Sequence, residues 1–184
     1  MPVSEQAFQD LALGDPEGHW ELHCGELRRK PEMTLEHNSL GYWLSVQIAT
    51  QVDRTRFDVR FNAGHVSRSP ENYYIPDVMV MPVDLQQGLR GGGVLEAYAA
   101  PLPLVVEVWS RSTGDYDVET KLKEYQRRGD QEIWRLHPYE RTLTIWRRQP
   151  DGSYLESLHR GGTIQPVAVP GVTVDLDALF EYRL

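Results

Sequence analysis

Two acidic residues stand out because their neighbours are apolar. Asp77 lies in Tyr73-Tyr74-Ile75-Pro76-Asp77-Val78-Met79-Val80-Met81, and Glu107 lies in Leu104-Val105-Val106-Glu107-Val108-Trp109. On an extended strand every second residue shares a face, which groups Asp77 with Ile75 and Met79, and Glu107 with Val105 and Trp109. A carboxylate on such a face costs free energy to desolvate unless it is paired, protonated or bound to a cation. Two of them at similar depth in neighbouring strands suit a shared hard cation, since oxygen ligands favour Mg²⁺, Mn²⁺ or Ca²⁺ over softer metals. The competing reading is that each acid faces solvent or pairs with one of the 16 arginines.

The residues after Glu107 add to the first reading. Ser110, Arg111, Ser112 and Thr113 are followed by Asp117, Lys121 and Tyr125. The last three are spaced i, i+4, i+8, one face of a helix that begins just past the Glu107 strand. That face can return a lysine ammonium to the carboxylates, where it would orient a water or stabilise charge on a phosphate. The alternative is a plain Asp117–Lys121 helix pair worth about 0.3–0.5 kcal/mol. Lysine is scarce here: of 19 cationic residues only Lys30, Lys121 and Lys123 are lysines. Lys123 lies within a turn of Lys121 but points about 200° away around the helix.

The elements that must position these groups can be read in order. Ser4 caps a short helix carrying Ala7, Phe8, Leu11 and Ala12. The runs 20–24 and 26–30 flank Gly25 as a hairpin or a bulged pair of strands. Thr34 caps a longer helix with Leu40, Leu44 and Ile48 at i, i+4, i+8. Strands are predicted over 56–61, 73–81 and 104–109, with a glycine-rich loop at 88–93 between the last two. A helix over 117–128, with Val118, Leu122 and Tyr125 on one side, is closed by Gly129. Strands over 132–136, 142–147 and 154–159 follow, and a short capped helix over 175–180 ends the chain. This order gives an α/β (α+β) class: a mixed sheet flanked by helices, with an N-terminal β-hairpin extension, in a single domain spanning 1–184.

Composition narrows the function classes. The formal net charge is −8, with 40% hydrophobic and 25% charged residues. That is a globular balance, and it opposes coating nucleic acid or an anionic membrane by bulk charge. The charge is uneven: residues 1–53 net −6, whereas 111–148 net +2. No apolar run reaches membrane-spanning length, and the first residues lack the pattern of a secretory signal. The single Cys24 allows no internal disulfide, so a reducing cytoplasm is expected. His19 and His23, an i, i+4 pair, lie about 13 Å apart on an extended strand and cannot share zinc, and no second Cys/His pair accompanies Cys24. Trp109, Trp134 and Trp146 fall on predicted strands and are read as core.

Six segments in order resemble one family. They are Trp20-Glu21-Leu22 with Gly25-Glu26-Leu27, Glu36-His37, Pro76-Asp77, Glu107 to Thr113, Tyr116-Asp117 with Lys121-Leu122 and Tyr125, and Pro170-Gly171-Val172 with Leu176. Together they resemble the Uma family of restriction-endonuclease-like proteins, within the PD-(D/E)XK nuclease superfamily. The resemblance implies a restriction-endonuclease-like core in which Asp77, Glu107 and the carbonyl of Val108 hold Mg²⁺ or Mn²⁺. The superfamily lysine belongs two residues past the Glu, where this chain has Trp109; Uma-type sequences supply it from the helix, here Lys121. The catalytic set implied is Asp77, Glu107 and Lys121, with Asp117 and Tyr125 tethering Lys121 and with Glu36 and His37 as further candidates.

The activity implied is hydrolysis of phosphodiester bonds, in DNA, by a homodimer, since cutting both strands takes two sites. The second reading is a module that keeps the fold but binds nucleic acid or a protein partner with little turnover. The acidic balance and Trp109 in the lysine position favour the second reading; the joint presence of Asp77, Glu107 and Lys121 favours the first.

Overall fold

The computed structural model describes residues 1–182, apart from the side chains of Asp115 and Val118, so the predicted place of Val118 on the helix face lies outside the described residues. The chain opens with helix α1 (Glu5–Gly14), capped by Ser4, whose hydroxyl accepts from the Ala7 amide. The hairpin β1 (Trp20–His23) and β2 (Glu26–Arg29) turns through Gly25 at φ +76°, a left-handed conformation natural to glycine. Helix α2 (Leu35–Ala49) starts at its Thr34 cap.

Then come β3 (Phe57–Phe61), β4 (His65–Ser69), β5 (Asn72–Tyr74), β6 (Val78–Pro82), a 3₁₀ segment (Val83–Leu89), β7 (Ala97–Tyr98) and β8 (Leu104–Val108). The helix after β8 is composite. An α turn, α3 (Gly114–Tyr116), passes into a π-helical segment (Asp117–Lys121) and then into α4 (Leu122–Arg128), closed by Gly129 at φ +83°. Strands β9 (Glu132–His137), β10 (Thr142–Arg148), β11 (Tyr154–His159), β12 (Thr163–Ile164) and β13 (Val174–Asp175) lead to α5 (Leu176–Phe180).

The strands form a six-stranded sheet in the order β11-β10-β9-β8-β6-β3, a five-stranded sheet in the order β2-β1-β5-β4-β7, and the pair β12-β13. The mixed character predicted from sequence is present: β8 pairs β9 parallel and β6 antiparallel. The predicted strand over 73–81 is instead two strands, β5 and β6, one in each large sheet. Ile75, Pro76 and Asp77 form the crossing, where proline has no amide to give a ladder.

Alternation along the central strands builds two cores. Val78, Val80, Val106 and Val108 face Leu40, Leu44 and Ile48 of α2, together with α5. Each such fully buried aliphatic side chain contributes about 1.5–3 kcal/mol. On the opposite face Met79, Met81 and Val105 meet Tyr74, Tyr98 and Tyr125, filling the space between the sheets and α4. Glu107 follows Val105 in that alternation and therefore points into the second space.

One buried cation ties the layers. Arg128, at the end of α4, pairs with Asp130 at 3.0 Å and donates to the carbonyls of Ser67, Tyr98 and Ala100. It fastens α4 to the five-stranded sheet, which fixes the height of the helix above Glu107.

Candidate active site

Val78 pairs Val106 and Met79 pairs Val105, so continuing the antiparallel register by one residue sets Asp77 across from Glu107. Asp77 is not on a strand but in the bend just before β6; the two carboxylates are nonetheless neighbours, as the sequence suggested. The Val108 amide donates to Asp77 Oδ2 at 2.6 Å, locking the Asp77 carboxylate against the Glu107 strand. The Val108 side chain packs in the α2 core.

Lys121 arrives from the π-helical segment. Its Nζ lies 2.8 Å from Glu21 Oε1, 3.4 Å from Glu107 Oε1 and 3.7 Å from Asp117 Oδ1. Tyr125, one turn on, donates its hydroxyl to Glu107 Oε1 at 2.5 Å. Asp117, Lys121 and Tyr125 thus share the face that their spacing predicted. Lys123 is exposed.

Asp77 has its own cation. Lys30 Nζ, just past β2, donates to Asp77 Oδ1 at 2.7 Å, to Asn62 Oδ1 at 2.8 Å and to the Ile75 carbonyl at 3.0 Å. His37 Nε2 stands 3.1 Å from Asp77 Oδ2, off the line of a hydrogen bond, and the buried Nδ1 meets no partner among the described residues. Thr34 accepts from the His37 amide, so the helix cap itself places this imidazole. Glu36, the neighbouring candidate, is half-buried and does not line the cleft.

Glu21 and Lys30 are the residues that sequence reasoning missed. Glu21 also accepts from the Ile75 amide at 2.9 Å, so the hairpin contributes to the site from the second sheet. Together these groups form the floor of a cleft of about 360 Å³, with Arg28, Tyr116, Ser112 and Thr113 on its walls. Trp109, predicted as a core strand residue, lies just past β8. It is half-buried and stacks on His137 at 4.2 Å, beside the exposed Tyr139.

The electrostatics follow from burial. Desolvation alone would raise the Asp77 carboxyl, but the Lys30 ammonium and His37 hold it well below the usual carboxylate range. Burial pushes Glu107 well up, against the pull of Lys121 and helped by the charges of Asp77 and Asp117. Asp117 is raised by burial too. Burial disfavours the Lys121 charge, yet Glu107, Glu21 and Asp117 more than offset it and keep the ammonium.

A family model described as "Uma2: Putative restriction endonuclease" matches residues 5–177. The chain belongs to the Uma2 family. A crystal structure described as that of "a putative nuclease belonging to DUF820" from Anabaena variabilis ATCC 29413 matches with a TM-score of 0.79 at 16% identity, over 100% of both chains. It shows the shared fold, mixed sheets flanked by helices. No curated protein matches the chain.

Restriction-endonuclease-like families generally work with divalent metals, so the donor set can be tested for fit. Four carboxylates, Glu21, Asp77, Glu107 and Asp117, face two ammonium groups, Lys30 and Lys121. Carboxylate oxygens are the ligands that Mg²⁺ and Mn²⁺ prefer. The residues fit by the chemistry of their donor oxygens. Their present arrangement is not a finished cage: among the described residues no three acidic or imidazole groups converge on one point. The lysine ammonium groups take the oxygens instead.

Proposed function

We propose that this Uma2 protein is a divalent-metal-dependent endonuclease that hydrolyses phosphodiester bonds in DNA, acting as a homodimer in the cytoplasm. The observation that carries the reading is Asp77 opposite Glu107 at the floor of one cleft, with the Lys121 ammonium 3.4 Å from Glu107. Asp77, Glu107 and the Val108 carbonyl would hold Mg²⁺ or Mn²⁺. When bound, such an ion supplies Lewis-acid polarisation of a phosphate oxygen and a stronger nucleophile at neutral pH.

The chain's own residues do the rest. Lys30 and the Val108 amide fix the two oxygens of Asp77 in direction. The Tyr125 hydroxyl fixes Oε1 of Glu107. Lys121, tethered by Glu21 and Asp117, keeps a positive charge beside Glu107, where it orients the attacking water and stabilises charge gathering on the phosphate.

The Lys30–Asp77 ion pair at 2.7 Å favours the second reading, a nuclease-fold module that binds nucleic acid or a protein partner with little turnover, because it already neutralises Asp77. Cleavage of plasmid and single-stranded DNA with Mg²⁺ or Mn²⁺ separates the two. Wild type is expected to cut, and Asp77→Asn and Lys121→Met to lose roughly 10²-fold or more in rate while melting cooperatively. Wild type that binds the metal calorimetrically but does not cut supports the module. Cutting that survives Asp77→Asn sinks the assignment of the site.

A further inference from the structure

Beside the carboxylates stands positive charge for which the reading above has no use. Alternation along β2 and its continuation puts Arg28 and Lys30 on the same face, about 6.7 Å apart along the strand. Lys30 turns down to Asp77. Arg28 stays at the cleft wall, exposed, with its guanidinium over the Tyr116 ring at 4.6 Å from the centroid. Among the described residues no acidic side chain pairs with it. Arg29, next along the strand, lines the same cleft, and among the described residues its one side-chain hydrogen bond is a long contact of 3.5 Å to the Glu17 carbonyl.

Several of the other arginines are spent in ion pairs. Arg60 pairs with Asp58 and Glu96, Arg68 and Arg127 with Glu124, and Arg128 with Asp130. The floor carboxylates are held by Lys30 and Lys121, so they do not claim Arg28 either. An arginine laid flat on an aromatic ring keeps its fork of N–H donors free at the edge, and its rotamer is held before a ligand comes. Planar forks of this kind suit phosphate oxygens, two at a time.

We propose that Arg28, braced on Tyr116 and assisted by Arg29, binds a backbone phosphate of the nucleic-acid strand next to the scissile one. This rests on the nuclease reading of the cleft and names how its substrate is gripped. The contact is to the sugar–phosphate backbone, so it sets affinity and register and carries no base preference. It also explains how a chain of net charge −8 can hold a polyanion: β2 sets arginines without an acidic partner among the described residues beside carboxylates already held by Lys30 and Lys121.

The test is binding, read apart from cleavage. Fluorescence anisotropy with labelled single-stranded and duplex oligonucleotides would be run across a salt series, in EDTA and again with Ca²⁺. The proteins are wild type, Arg28→Ala, Arg28→Lys and, as a control cation outside the cleft, Lys123→Ala. Arg28→Ala is expected to weaken binding roughly 3- to 10-fold near 0.1 M salt and to flatten the salt slope by about one counterion. Arg28→Lys should keep the slope and lose part of the affinity, while Lys123→Ala changes neither. Wild-type affinity and slope in Arg28→Ala, even with a lowered melting temperature, would mean that Arg28 only packs on Tyr116, and the proposal fails alone. Failure of wild type to bind either oligonucleotide in both conditions would overturn the nuclease reading together with it.

Discussion

Lys30 and Lys121 divide four buried carboxylates between them, and the division sets what each lysine does. Lys121 meets three acids at 2.8–3.7 Å, so its charge is shared among them. Lys30 has three acceptors at 2.7–3.0 Å and is saturated, which makes it a strut for Asp77. Breaking a buried ion pair from one side leaves an uncompensated charge and costs about 3–5 kcal/mol. Lys30→Met should therefore lower the urea unfolding free energy by that amount, and the double variant Lys30→Met/Asp77→Asn by clearly less than the sum of the two single changes. Additive effects would show that the two side chains do not stabilise each other. Asp77, Glu107 and Lys121 were legible because each breaks an apolar or helical pattern in its own segment. Glu21 and Lys30 were not, since their meaning lies in the approach of the hairpin to a second sheet. The scarcity of lysine was the available signal: it drew attention to Lys121 and Lys123 and applied equally to Lys30.

At the scale of elements, the composite helix decides whether Lys121 reaches the site. Its start is pinned where Gly114 meets Trp109: a Cβ on Gly114 would lie 2.1 Å from the indole Nε1. Trp109 cannot easily swing away, because its ring is stacked on His137 and meets Tyr139 edge-on. Gly114→Ala must then move the indole or lift the helix, at a cost of about 1–3 kcal/mol. Expected are a lower thermal midpoint, a shifted tryptophan emission and a cleavage rate reduced more than the midpoint alone explains. A native midpoint and emission would show that the approach relaxes freely. Helices and long strands were legible through periodicity, as with Leu40, Leu44 and Ile48 on α2. The π-helical segment left no trace in sequence, because five residues of either helix type look alike. Strand β4 (His65–Ser69) was hidden by its polar composition, and β7, β12 and β13 by having two residues each. The crossing at Ile75 to Asp77 was hidden because apolar residues run straight through it; Pro76 was the one mark of the break.

At the scale of the whole molecule, the net charge of −8 makes any cation stabilising to some degree, so specific metal binding must be told from screening. A ligand that binds only the folded state stabilises it by mass action: 10 mM metal with a dissociation constant near 1 mM gives about 1.4 kcal/mol. For a chain of this length that is a rise of about 3–6 °C in melting temperature. Wild type should show this rise with Mg²⁺ or Mn²⁺ over NaCl of equal ionic strength. Asp77→Asn and Glu107→Gln should lose it, because each replaces a carboxylate of the proposed metal-binding pair with an amide. Removal of the metal with EDTA should return the wild-type midpoint to its starting value. A rise equal in all three proteins would be bulk screening of an acidic surface. No rise in wild type would mean that the two lysines satisfy the carboxylates by themselves, and the fold would then serve as the binding module.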